Sequence, residues 1–146
     1  MATHTNGVPD IVISDSASEA DRAELREALH AFNFAATGYR DARPFSCFLR
    51  DEEGTLVAGI DGDTWGGYAR IEYLWVHDAL RGRGIGTQLV AAAEQEARRR
   101  GCAKVVLDSH SFQAPAFYTL LGYREVATTL DTPVGYRDTL FEKPLG

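Results

Sequence analysis

Three glycines alternate with other residues in the stretch Arg81-Gly82-Arg83-Gly84-Ile85-Gly86-Thr87. Upstream, "YARIEYLWV" (68–76) is rich in aromatic and branched side chains and reads as a long strand. Downstream, Ile85, Leu89, Ala93 and Ala97 step by four, which predicts a helix to Arg100 stopped by Gly101. Glycine favours neither element. A cluster of glycines between them means the backbone must turn sharply or lie bare to something. The first N–H groups of a helix have no intrahelical partner and carry the positive end of the dipole, so a phosphate can approach them closely where no Cβ intervenes. Arg81 and Arg83 add charge. The turn reads as a diphosphate site, against the plainer reading of a tight strand-to-helix connection.

Two common diphosphate motifs do not match. A Walker loop needs a lysine followed by Ser or Thr after its second glycine, and there is no lysine here. In the dinucleotide pattern G-x-G-x-x-G the third glycine would fall on Thr87 or Leu89. The spacing present is R-x-x-G-x-G.

The rest of the chain gives an order of elements. "DIVIS" reads as a strand, and Ser18 with Asp21 resembles a capping pair before a helix from Glu19 to Phe34. "FSCFLR" and "TLVAGI" form a hairpin across "DEEG", and "DGDTWGG" bends the chain before "YARIEYLWV". After the central helix, "KVVLD" is a buried strand, "APAFYTLLG" a short helix, and "YREVATTL" and "YRDTLFEKPL" two closing strands. The order β-α-β-β-β-α-β-α-β-β is an α/β (α+β) chain with a mixed sheet and two parallel crossovers, at the central and the short helix. Glu94 with Arg98 and Glu96 with Arg100 are expected i,i+4 pairs.

Composition narrows the class. At 146 residues one domain is expected over 1–146, with 1–9 a flexible tail. The net charge of −6 argues against a nucleic-acid partner. No apolar run is long enough for a membrane span, and no secretory signal is visible. Two cysteines, Cys47 and Cys102, lack metal-ligand spacing. A cytoplasmic protein without a metal is expected. Charge is uneven: residues 1–80 hold 6 basic and 14 acidic side chains, residues 81–146 hold 9 and 7.

"LWVHDALRGRGIGTQLV" resembles the acyl-coenzyme A motif of the GNAT superfamily of N-acetyltransferases, and "SFQAPAFYTLLGYREV" resembles that superfamily's later signature, N-x-x-A-x-x-F-Y-x-x-x-G-F. Ala114, Phe117, Tyr118 and Gly122 match it, Tyr123 stands for Phe, and Ser111 replaces Asn. The resemblance covers about 11–144 and implies a GNAT-like fold with acetyl-CoA as co-substrate. It implies that "YARIEYLWV" splays from "KVVLD", with the pantetheine arm in the gap against Leu74, Trp75 and Val76. The diphosphate would meet Arg81, Gly82, Arg83, Gly84, Ile85, Gly86 and Thr87, and Ser111 would bond the cofactor.

Acyl transfer to an amine needs a base, because an alkylamine with a pKa near ~10 arrives protonated. Glu72, an acid within an apolar strand, is the candidate. Strand alternation would place it on the face of Leu74 and Val76. Tyr118 is the candidate acid for the departing thiolate. Phe34, Tyr39 and Trp65, among aromatic and acidic loops, are candidate acceptor contacts suited to a small cationic amine, although the same residues also suit a loop core with solvated acids. A homodimer is compatible with the resemblance. The alternative is a non-catalytic acyl-CoA-binding or sensing module.

Overall fold

The protein is described by a computed structural model covering Gly7 and residues 9–146. Most of the tail expected over 1–9 lies outside the described residues. The chain divides into two compact units, residues 1–38 and 39–146.

In the first unit, α1 (Glu19–Thr37) opens on Ser18, whose hydroxyl accepts the Asp21 N–H at 3.1 Å. It closes on Gly38 at φ 78°, whose N–H bonds Phe34 O at 2.7 Å. The helix passes the expected end at Phe34 because Ala35 and Ala36 are strong helix formers and Gly38 is the first residue suited to a left-handed cap. The strand expected over 10–14 is not formed: these residues adopt no regular secondary structure and enter none of the strand registers. A short apolar run makes a strand only where a neighbour accepts and donates the ladder bonds.

The second unit holds β1 (Arg43–Arg50), β2 (Leu56–Trp65), β3 (Tyr68–Val76), α2 (Ile85–Arg99), β4 (Lys104–His110), α3 (Pro115–Leu120), β5 (Arg124–Leu130) and β6 (Arg137–Pro144). They build one six-stranded sheet in the order β1-β2-β3-β4-β6-β5. Every neighbouring pair is antiparallel except β3 and β4. The crossover through α2 sets β4 beside β3. The second crossover, through α3, passes over the place that β6 fills. The mixed sheet of the expected fold class is present.

The core lies under α2, which buries Leu89, Val90, Ala93 and Ala97 against β2 and β3. Val105, Leu107 and Phe141 complete it with exposures of 1% or less. Each fully buried Leu or Val contributes about 1.5–3 kcal/mol. The expected Glu96–Arg100 pair is present at 2.7 Å. Glu94 does not pair with Arg98. It shares the buried face of α2 and reaches Lys143 of β6 at 2.6 Å, while Arg98 donates to Leu145 O.

Candidate active site

The ladder between β3 and β4 has three pairs, Tyr68–Lys104, Ala69–Val105 and Arg70–Val106. Beyond it, residues 71–76 are held by β2 alone and residues 107–110 by β6 alone. The strands part, and β3 presents an unpaired edge to the gap. Such an edge offers N–H and C=O groups to any amide-bearing chain laid along it. Leu74, Trp75 and Val76 lie on this edge.

A β-bulge stands at the fork. Ile71 pairs with Gly62 and Tyr73 with Asp61, so Glu72 is the extra residue. A bulge reverses the alternation of faces beyond it. Ala69 and Ile71 are buried before it, Leu74 and Val76 are half-buried after it, and Glu72, Tyr73 and Trp75 are exposed. This corrects the expected facing: Glu72 lies opposite Leu74 and Val76, not beside them, because simple alternation cannot register an inserted residue. Gly62 makes the close approach at the bulge workable. A Cβ there would stand 2.1 Å from Arg70 O and 2.6 Å from Phe45 Cζ. Glu72 lies 3.8 Å from Arg70 Nε, and Arg70 Nη1 lies 3.7 Å from Asp108 Oδ1 on β4. Arg70 thus bridges carboxylates on the two diverging strands.

From Val76 the chain passes through a single 3₁₀ turn, Asp78–Leu80, into the glycine turn. Arg81 is committed to bracing it, donating to Val76 O at 3.1 Å and pairing with Asp78 at 2.9 Å. Arg83 is exposed and has no side-chain partner among the described residues. Gly82 and Gly84 hold φ of 76° and 79°, a left-handed backbone that L side chains rarely adopt, with open space where a Cβ would stand. Gly84 caps α2 without a side-chain bond, and the first intrahelical bond is Gln88 N–H to Gly84 O. The N–H groups of Ile85, Gly86 and Thr87 therefore point out of an uncapped helix end. Gly86 has a packing reason as well: a Cβ there would lie 3.3 Å from Phe117 Cζ. This turn fits a diphosphate.

Tyr118 on α3 is 8% exposed, with its ring against Phe117, Tyr123 and Phe141. Burial pushes its phenol up from the ordinary value, so it holds its proton at neutral pH. The sealed and unpartnered polar atoms among the described residues are Tyr123 Oη and Asp138 Oδ1, and the Tyr118 hydroxyl is not one of them. Ser111 is tied to the start of β6, its Oγ accepting the Arg137 N–H at 3.0 Å and its N–H donating to Arg137 O at 2.8 Å. The hydroxyl proton remains free to donate.

Of the candidate acceptor contacts, Tyr39 and Trp65 stand at the end of β3 away from Val76. Phe34 belongs to α1 in the first unit. Tyr39 and Trp65 stack edge-on, 6.4 Å between centroids, at the β2–β3 turn, where β3 begins. That end is roughly 25 Å along β3 from Val76. Trp65 there lines a cavity of about 370 Å³ with Arg99, Arg100 and Cys102. Arg100 spends its donors on Arg43 O, Thr64 Oγ1, Pro44 O and Glu96. Cys102 is buried, which pushes its thiol up, so it is a poor nucleophile. Sequence reasoning missed Arg70 and Asp108, which are brought together only by the strand register.

A model of the Acetyltransferase (GNAT) family matches residues 12–123. Acetyltransferase Atu2258 of Agrobacterium fabrum is 33% identical over 92% of this chain and 98% of its own. Blasticidin-S acetyltransferase of Streptomyces morookaense is 35% identical over 75% of this chain and 83% of its own. The crystal structure of an acetyltransferase from Bacillus cereus superposes with a TM-score of 0.76 at 29% identity, covering 91% of this chain and 97% of that one.

Proposed function

Because the chain belongs to the GNAT acetyltransferase family, with acetyl-CoA as its acyl donor, we propose that it acetylates a primary amine of a small cationic molecule. The observation that carries this reading is the bulge that displays Glu72 where β3 leaves β4. Acetyl-CoA supplies an acyl group already activated as a thioester. The uncapped start of α2 and the exposed Arg83 hold its diphosphate, and the unpaired edge at Leu74, Trp75 and Val76 holds its amide arm. Glu72 accepts the proton of the incoming ammonium, directly or through water. Tyr118, kept protonated by burial, supplies a proton to the departing thiolate. Ser111 has one hydroxyl proton to offer the donor, a shorter reach than an amide would have.

A small cationic acceptor is supported by the carboxylates at the fork, Glu72 and Asp108, and by the name of one relative, a blasticidin-S acetyltransferase. The test is free-thiol release from acetyl-CoA across a library of amines. Turnover with cationic amines is expected, with kcat falling about 100-fold in Glu72→Gln and in Tyr118→Phe while KM for acetyl-CoA stays within about threefold. Tight acetyl-CoA binding with no turnover on any amine, or full turnover in both variants, would make the chain an acyl-CoA sensing module instead.

A further inference from the structure

The bulge at Glu72 shapes a surface as well as displaying a carboxylate. It puts two successive side chains, Glu72 and Tyr73, on the same face of the sheet, and Trp75 follows them there while Ile71, Leu74 and Val76 turn to the core. β2 supplies the neighbouring strip of that face. Its Ala58, Ile60, Gly62 and Thr64 are buried, so Gly59, Asp61 and Asp63 point the other way. β1 supplies the third strip, where Phe48 alternates with Cys47 on the core side. The registers set Phe48, Gly59 and Trp75 in one row, and Ser46, Asp61 and Tyr73 in the next, roughly 7 Å along the strands.

These rows form an open aromatic patch. Phe48, Tyr73 and Trp75 are 58%, 74% and 44% exposed. Phe48 leans over Gly59: a Cβ there would stand 3.2 Å from Phe48 Cδ1, so the absent side chain lets the ring lie across β2 towards Trp75. Trp75 meets His77 edge-on, with 6.0 Å between centroids. Single exposed rings are ordinary, whereas three on adjacent rows make a patch of the kind that marks a binding surface. Asp61 stands within it. It is half-buried, has no side-chain hydrogen bond or ion pair among the described residues, and its oxygens are not sealed from solvent. Arg70, opposite Asp63, reaches Glu72 and Asp108 instead. A partly desolvated carboxylate among aromatic faces attracts an organic cation by charge pairing and cation–π attraction together. Asp61 also opposes the bulge itself, one strand spacing, about 5 Å, from Glu72.

We propose that Phe48, Tyr73, Trp75 and Asp61 form the bed of the acceptor: Asp61 draws the ammonium in beside Glu72, and the three rings take a flat ring carried on the same amine. The acceptor class is then an amine joined by a short chain to an aromatic or heteroaromatic ring, with amine and ring roughly one row, about 7 Å, apart. This deepens the function proposed above and rests on Glu72 as the place where the amine reacts.

The test compares 2-phenylethylamine with ethylamine on the full chain in the presence of coenzyme A, by calorimetry, with thiol release from acetyl-CoA measured alongside. The aryl amine is expected to bind at least about tenfold more tightly, equivalent to ~1.4 kcal/mol. In Phe48→Ser, and separately in Tyr73→Ser, that ratio is expected to fall towards one while coenzyme A affinity and melting temperature hold. Asp61→Asn is expected to weaken both amines about tenfold and leave their ratio intact, which separates the charge from the rings. Equal binding of the two amines, a preference that survives both serine substitutions, or a ratio that falls only together with coenzyme A affinity overturns the aromatic bed. Unchanged amine affinity in Asp61→Asn overturns the part given to the carboxylate. Because binding is read without turnover, the failures separate: an aryl preference with no thiol release removes the catalytic reading and leaves the bed, and thiol release without the preference does the reverse.

Discussion

Tyr118 and Tyr123 show how two phenols a few residues apart take different roles from their surroundings. Burial raises both, and for Tyr123 the charge of Glu94 adds to it. The hydroxyl of Tyr123 is sealed and unpartnered among the described residues, with Lys143 Nζ over the ring at 5.6 Å. Removing an unpartnered buried hydroxyl while keeping the ring should cost nothing, so Tyr123→Phe is expected to hold or raise stability by up to about 1 kcal/mol at neutral pH. A loss beyond that in urea denaturation would reveal a partner for the hydroxyl. The same pair sets an alkaline limit. The neutral phenol is favoured in the folded state, so the unfolded chain loses its protons first, near ~10. Stability is intact below that pH and falls as pH rises above it. Thermal melts across that range should show a shallower alkaline decline in Tyr123→Phe than in the parent.

The site depends on where β3 changes its pairing, and this is also where the sequence stops being readable. The strand "YARIEYLWV" was legible from its branched and aromatic residues, and the turn after it from its glycines. The bulge was not, because an inserted residue is defined by what the partner strand leaves unopposed, and Gly62 lies ten residues upstream of Glu72. Arg70 and Asp108 were hidden for the same reason: their association exists in the register of β3 and β4 and nowhere in local spacing. Of the acceptor contacts expected from aromatic content, Tyr39 and Trp65 form a ring pair at the β2–β3 turn, and composition carries no information about which end of a strand a ring occupies. If Gly62 secures the bulge, Gly62→Ala should be costly at the level of the element, because its Cβ would land on the carbonyl of Arg70. We expect a loss of about 2 kcal/mol or more in denaturant unfolding. In the fraction that remains folded, kcat is expected to fall more than tenfold as Glu72 is displaced, with KM for acetyl-CoA nearly unchanged. Normal stability and turnover in this variant would mean the bulge survives without the glycine.

For the whole molecule, electrostatics poses a problem that only local structure solves. A chain of net charge −6 must attract a donor that is itself polyanionic. The excess of acid lies in residues 1–80 and the excess of base in residues 81–146, which begin at the glycine turn. At physiological ionic strength the Debye length is about 8 Å, so distant carboxylates are largely screened while a guanidinium in contact with a phosphate is not. The two arginines of the turn should then behave differently. Arg83, exposed and without a side-chain partner among the described residues, is available to the donor, and Arg83→Gln is expected to raise KM for acetyl-CoA about tenfold without changing the melting temperature. Arg81 braces Val76 and Asp78, so Arg81→Gln should lower both the melting temperature and donor affinity. Raising salt from ~0.05 M to ~0.5 M should increase KM for acetyl-CoA several-fold in the parent and less in Arg83→Gln, because much of what salt weakens is already missing there. An identical salt response in the two proteins would show that Arg83 stays in solvent and that the backbone N–H groups hold the diphosphate alone.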